Sequence, residues 1–100
     1  MLARVTVAVS ALLIGCQRDT RPTRIDGLVI QMQAASFLQI ASFTLQSDDG
    51  TQVEMIVEGD VGITPSHLRE HMALGDPVTV TVRYADGLTI ATRVEDLQPR

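Results

Sequence analysis

Five stretches of this chain set apolar side chains at every second position, and no other feature limits its possible folds so tightly. They run through Leu28, Ile30, Met32 and Ala34; Ala41, Phe43 and Leu45; Val53, Met55 and Val57; Val78, Val80, Val82 and Tyr84; and Leu88, Ile90, Thr92 and Val94. A period of two marks extended backbone, because successive side chains of a strand point to opposite faces. Each run is therefore expected to have one core face and one wetter face.

Turn chemistry divides the runs. Asp48-Asp49-Gly50 and Ala85-Asp86-Gly87 both end in Asp-Gly, a pair that tolerates the positive φ of tight hairpins. They predict pairing of the second strand with the third and of the fourth with the fifth. Between the third and fourth strands the period changes. Thr64 suits a helix N-cap and Pro65 the first helical position. Ile63 and Leu68 are spaced for a hydrophobic staple, Leu68 and Met72 share a face, and Gly75 with Pro77 beyond it reads as a stop. The helix is short, about three turns.

One hundred residues allow one domain. A hydrophobic fraction of 45% is too high for a disordered chain. Phe37, Phe43 and Tyr84 are the only aromatic residues, so the core is expected to be aliphatic. The formal net charge is −4, and all eight basic residues are Arg. Binding to nucleic acid rests on neutralising phosphates with Lys and Arg, so an acidic chain of this kind is a poor candidate for it. The single cysteine excludes an intramolecular disulfide.

That cysteine closes a distinctive N-terminus. Met1 to Arg4 carries one positive charge, and Val5 to Ile14 is apolar apart from Thr6 and Ser10. The run has the length of a signal-peptide core, about 7–15 residues, and falls short of the roughly 20 that a spanning helix needs. It ends in Leu13-Ile14-Gly15-Cys16, which resembles the bacterial lipobox. The resemblance implies that the Cys16 thiol is diacylglycerated, that residues 1–15 are cleaved away, and that the new amino group is acylated. It implies an exported protein, lipid-anchored to the cell membrane or the outer membrane, with membrane lipid as a partner. Gln17 is not the Asp that favours inner-membrane retention in Gram-negative cells. Residues 16–24 then form a polar tether. Its residues Arg18, Arg21 and Arg24 fit either a solvated linker or contacts to anionic headgroups.

The order of elements from residue 25 to 97 is β-β-β-α-β-β. This resembles the OB-fold, a mainly β, five-stranded barrel with its helix between strands 3 and 4; another small barrel of the SH3 kind is the alternative. In an OB-fold, Leu68 and Met72 would plug one end of the barrel. The general likeness is to small exported OB-domain proteins, and it carries no particular function.

OB-folds bind ligands on the face of strands 2–3 and through the loops that join strands 1–2 and 4–5. By that resemblance the candidate ligand-binding residues are Phe37, Thr44, Gln46, Glu54, Ile56 and Glu58, with Ser42 and Gln52 beside them. The face is polar to acidic and lacks the aromatic platforms on which nucleic-acid OB-folds stack bases. Phe37 fits either a ligand contact or a lid over the barrel mouth. The expected role is a binding or interaction module for a protein, peptide or glycan, with no cofactor.

The alternative role is metal handling. His67 and His71 stand at i and i+4 with Glu70 beside them, a spacing that suits a metal. The zinc-protease pattern puts Glu directly after the first His, where this chain has Leu68, and the sequence indicates no third ligand; an exposed helix face explains the pair as well. Glu54, Glu58 and Asp60 lack calcium-loop spacing. Ser66 near the two histidines does not make a triad, so no enzyme is expected. The membrane-anchored OB domain that chaperones haem carries its haem-binding His after the barrel, and this chain has no His after His71.

Overall fold

The computed structural model describes residues 21–97, and the lipobox with Cys16 lies outside them. Five strands and one helix follow in the expected order: β1 (Arg24–Ala34), β2 (Ile40–Gln46), β3 (Gln52–Val57), α1 (Pro65–Leu74), β4 (Val78–Ala85) and β5 (Leu88–Asp96). The strands close into a barrel ordered β1-β2-β3-β5-β4. All pairings are antiparallel except the closing one, where Ile56 and Val57 of β3 lie parallel to Ile90 and Ala91 of β5. Every strand thus has a partner on each side, and β3 meets β5 through Ile56 and Val57.

β1 makes the closure possible by serving two partners. Its first residues, Arg24 to Gly27, pair with Val78–Thr81 of β4, and from Leu28 it pairs with β2. Gly27 sits at the changeover. A Cβ there would run into the carbonyl oxygen of Gln46, so only glycine lets the two backbones approach this closely.

Both Asp-Gly hairpins form. Asp86 and Gly87 have φ of 54° and 78°, the left-handed pair that a two-residue hairpin requires. The β2–β3 turn closes with a hydrogen bond from Gly50 N–H to the Ser47 carbonyl. α1 starts and stops on the expected residues. The Thr64 hydroxyl accepts from the His67 N–H at 3.2 Å, Pro65 opens the helix, and Gly75 ends it in the left-handed region.

The core is aliphatic apart from Phe43. Leu45, Met55, Leu68, Val78, Val80 and Ala91 are fully buried. Leu68 enters this cluster from α1, and Ile63 and Met72 pack against it, so the helix plugs one barrel end. In β1 the inward residue is Val29, opposite Leu45, whereas the larger Leu28 and Ile30 are 38% and 42% exposed on the outside. A register shift between Val29 and Gln31 changes the parity of β1. A shift in the β4–β5 pairing, opposite Thr81 and Val82, makes Thr92 the extra residue of β5, and its hydroxyl donates to the Thr81 carbonyl.

Strand directions give the barrel two unlike ends. One carries the β2–β3 and β4–β5 hairpins and the point where the chain enters β1. The other carries the β1–β2 loop, α1, the start of β4 and the end of β5. The Tyr84 hydroxyl donates to the Pro22 carbonyl at 2.6 Å, and the Arg21 guanidinium lies 3.9 Å from the centre of the Tyr84 ring. The last residues before β1 are thus held at the hairpin end. Among the described residues no helix is long and apolar enough to cross a membrane.

Candidate functional site

The outer surface of β2 and β3 brings the sequence-predicted face together. Thr44 lies opposite Glu54, Gln46 opposite Gln52, and Ser42 opposite Ile56, all on the side away from the core residues Phe43, Leu45 and Met55. Gln52 donates to the Gln46 side-chain oxygen at 3.4 Å. Leu28 and Ile30 of β1 extend the same outer surface and make it more apolar than the sequence implied. Glu58 is turned elsewhere. Its carboxylate accepts from Arg83 of β4, bridging across β5 at the level of Ile90, which pairs with both Ile56 and Arg83. The Asp60 carboxylate is likewise committed, accepting from the Gly62 N–H at 2.8 Å.

The β1–β2 loop is built to present two side chains. The Ala35 and Ser36 N–H groups donate to the Gln39 carbonyl at 2.8 and 3.1 Å. The Ser36 hydroxyl accepts from the Leu38 and Gln39 N–H groups, and the Gln39 amide donates to the Gly59 carbonyl across the loop. These bonds satisfy the turn internally and leave Phe37 95% and Leu38 77% exposed. Phe37 is therefore not a lid over the barrel. Beside the loop, Arg69 of α1 lines a shallow cleft with Ala34, Ala35, Ser36 and Phe37.

A second constellation lies at the same barrel end, between α1 and the end of β5. His71 is buried, 9% exposed, not on an open helix face. Its Nδ1 is 3.1 Å from the Asp76 carbonyl, and its Nε2 is 2.7 Å from Asp96 Oδ1. His67, one helical turn earlier, places its Nε2 3.3 Å from the same oxygen. The two rings stack with centroids 5.1 Å apart and planes 20° from parallel. Glu70, Leu74, Asp76, Pro77 and Leu97 complete the surrounding cleft.

The histidine pair was visible in the sequence through its spacing, but Asp96 was not. It belongs to the alternating tail of β5, and only the pairing of Asp96 with Val78, just after the helix stop, carries it to the histidines. Each histidine and Asp96 offers one ligand atom, and these atoms lie within 4.8 Å of one another. Such a set can hold a proton or a cation. Among the described residues it is the one group of its type.

Comparison of the chain with protein-family models, with curated proteins and with solved structures gives no match.

Proposed function

We propose that this chain is an envelope lipoprotein, anchored through an acylated Cys16, whose barrel acts as a binding module for a protein or peptide partner. The observation that carries this reading is the exposure of Phe37 and Leu38 on a hydrogen-bonded loop at the barrel end opposite the point where the chain enters β1. A loop backbone already held by internal hydrogen bonds loses little freedom on docking, which favours affinity. Aromatic side chains of this kind serve as anchors in partner pockets. Ile30, Ile56 and Leu28 add exposed apolar side chains on the outer face of β1 to β3.

The tether supports the orientation. Since Pro22 and Arg21 are held against Tyr84, the free span from Cys16 to Arg21 is five residue steps, at most about 18 Å. The hairpin end then faces the bilayer, and Phe37 and Leu38 face away from it.

A photo-crosslinking amino acid at position 37, compared with one at position 86, tests the reading in the native membrane. A discrete adduct from position 37, absent from position 86 and lost on Ile56→Glu, is the expected outcome. Equal labelling from both positions, or none from position 37, overturns it. Mass spectrometry of the native protein tests the anchor. An unacylated Cys16 with residues 1–15 still attached would remove it.

A further inference from the structure

We infer that His67, His71 and Asp96 form a binding site for a divalent transition-metal ion, with zinc the best match to their ligand chemistry. This inference stands apart from the docking proposed for Phe37.

The case begins with one proton. The Asp76 carbonyl can only accept a hydrogen bond, so the His71 nitrogen facing it at 3.1 Å, Nδ1, carries hydrogen. Nε2 of the same ring then faces the Asp96 carboxylate at 2.7 Å with a lone pair of its own. A bare nitrogen and a carboxylate oxygen repel at that distance. A shared proton or a bound metal ion relieves that repulsion.

His67 adds a third donor atom to the same point. Its Nε2 converges on the same Asp96 oxygen from 3.3 Å, and its ring stacks on that of His71. Hydrogen bonds would satisfy the two contacts one at a time, each through its own ring N–H. One dication serves all three donor atoms at once. A tetrahedral zinc ion with bonds of about 2.0–2.1 Å spaces its ligand atoms about 3.3 Å apart. The 3.3 Å contact of His67 already has this span, the 2.7 Å contact of His71 must open by about 0.6 Å, and all three atoms lie within 4.8 Å of one another, a separation that side-chain rotation can close.

The surroundings fit the same ion. Imidazole nitrogen with one carboxylate suits zinc and its neighbours, not calcium or magnesium, which take oxygen. The His71 Nδ1–H to Asp76 carbonyl bond is the outer-shell contact that fixes a metal-bound imidazole in its ring orientation. Gly75, left-handed at the helix end, turns the chain so that this carbonyl meets the ring. The nearest cation of β5, Arg93, is engaged by Glu95 at 2.9 Å, so Asp96 is left to the histidines. Three protein ligands complete all but one position of a tetrahedral shell, leaving one for water or for a partner's side chain.

The test uses the full chain in detergent, without a histidine tag and stripped with chelator. The protein has two histidines, and both are in the site, so ring NMR signals report on it alone. Zinc is expected to shift both rings together with an endpoint at one equivalent, and magnesium to shift neither. His67→Ala and Asp96→Asn change half-exposed residues, so both variants should keep the far-ultraviolet circular dichroism of the parent. Each should weaken zinc binding at least roughly tenfold. Cys16→Ser should bind zinc as the parent does. The inference is overturned by unshifted rings at tenfold excess zinc. It is equally overturned by undiminished affinity in Asp96→Asn, or by binding that disappears with Cys16.

Discussion

His71 Nε2 stands 2.7 Å from Asp96 Oδ1 while the other nitrogen of the same ring faces the Asp76 carbonyl at 3.1 Å. One imidazole thereby ties together the last turn of α1, the segment leading into β4, and the end of β5. Its neighbour His67 touches Asp96 from a half-exposed position. The two histidines should differ in their effect on stability. With chelator present, His71→Ala is expected to cost about 1–3 kcal/mol, since it leaves a buried gap and unpaired polar partners. His67→Ala should stay within about 0.5 kcal/mol. Urea unfolding of both variants checks the contrast, and equal losses would contradict it.

Gly27→Ala should be more damaging than its one added methyl implies. The new Cβ meets the Gln46 carbonyl, which is backbone and cannot rotate away. The strands must separate where β1 changes partner, at a cost of about 1–3 kcal/mol. The midpoint of thermal unfolding measures this. An unchanged midpoint would mean that β1 crosses β2 with more room than the structure gives it.

Asp49 is the group whose ionisation should report on the β2–β3 turn. The Thr51 N–H, and after it the Ser47 hydroxyl, hold its carboxyl down at about 2, below its ordinary 3.8. A depressed acid favours the folded state above its unfolded pKa, and that contribution disappears as the pH falls from about 4 towards 2. Asp49→Asn should therefore flatten the acid side of the stability profile in that window. Carboxyl NMR of the parent should place the Asp49 midpoint well below those of free aspartates. A midpoint near 3.8 would show that the turn does not hold the carboxylate.

Tyr84→Phe removes the hydroxyl that donates to Pro22 and keeps the ring beneath Arg21. Global stability should fall by no more than about 0.5–1.5 kcal/mol. Hydrogen exchange should rise most at Thr23 and Arg24, which the bond keeps against the barrel. Unaltered exchange there would mean that the start of β1 is held without Tyr84.

Much of the barrel was legible along the chain because its signals are local. Asp86-Gly87 specifies its hairpin through two positive φ values, and Thr64-Pro65 with Gly75 brackets α1 through cap geometry that neighbouring residues supply. The pairing of Thr44 with Glu54 follows from the short Asp48-Asp49-Gly50 turn. The inward face of β1 was less accessible, since Leu28 and Ile30 match the core pattern better than Val29 by size. The register shift after Val29 depends on where β2 lies.

The sequence by itself determined the number and order of the strands, the ends of the helix and the aliphatic character of the core. Each of these follows from side-chain period, turn residues or caps acting within a few positions. Only the tertiary structure decided that Asp96 meets His67 and His71, that Phe37 stands clear of the barrel, and that the chain enters at the hairpin end. Those relationships arise from closing the sheet, which joins residues distant in sequence through register and strand direction, and no local pattern encodes where a closed sheet brings its ends.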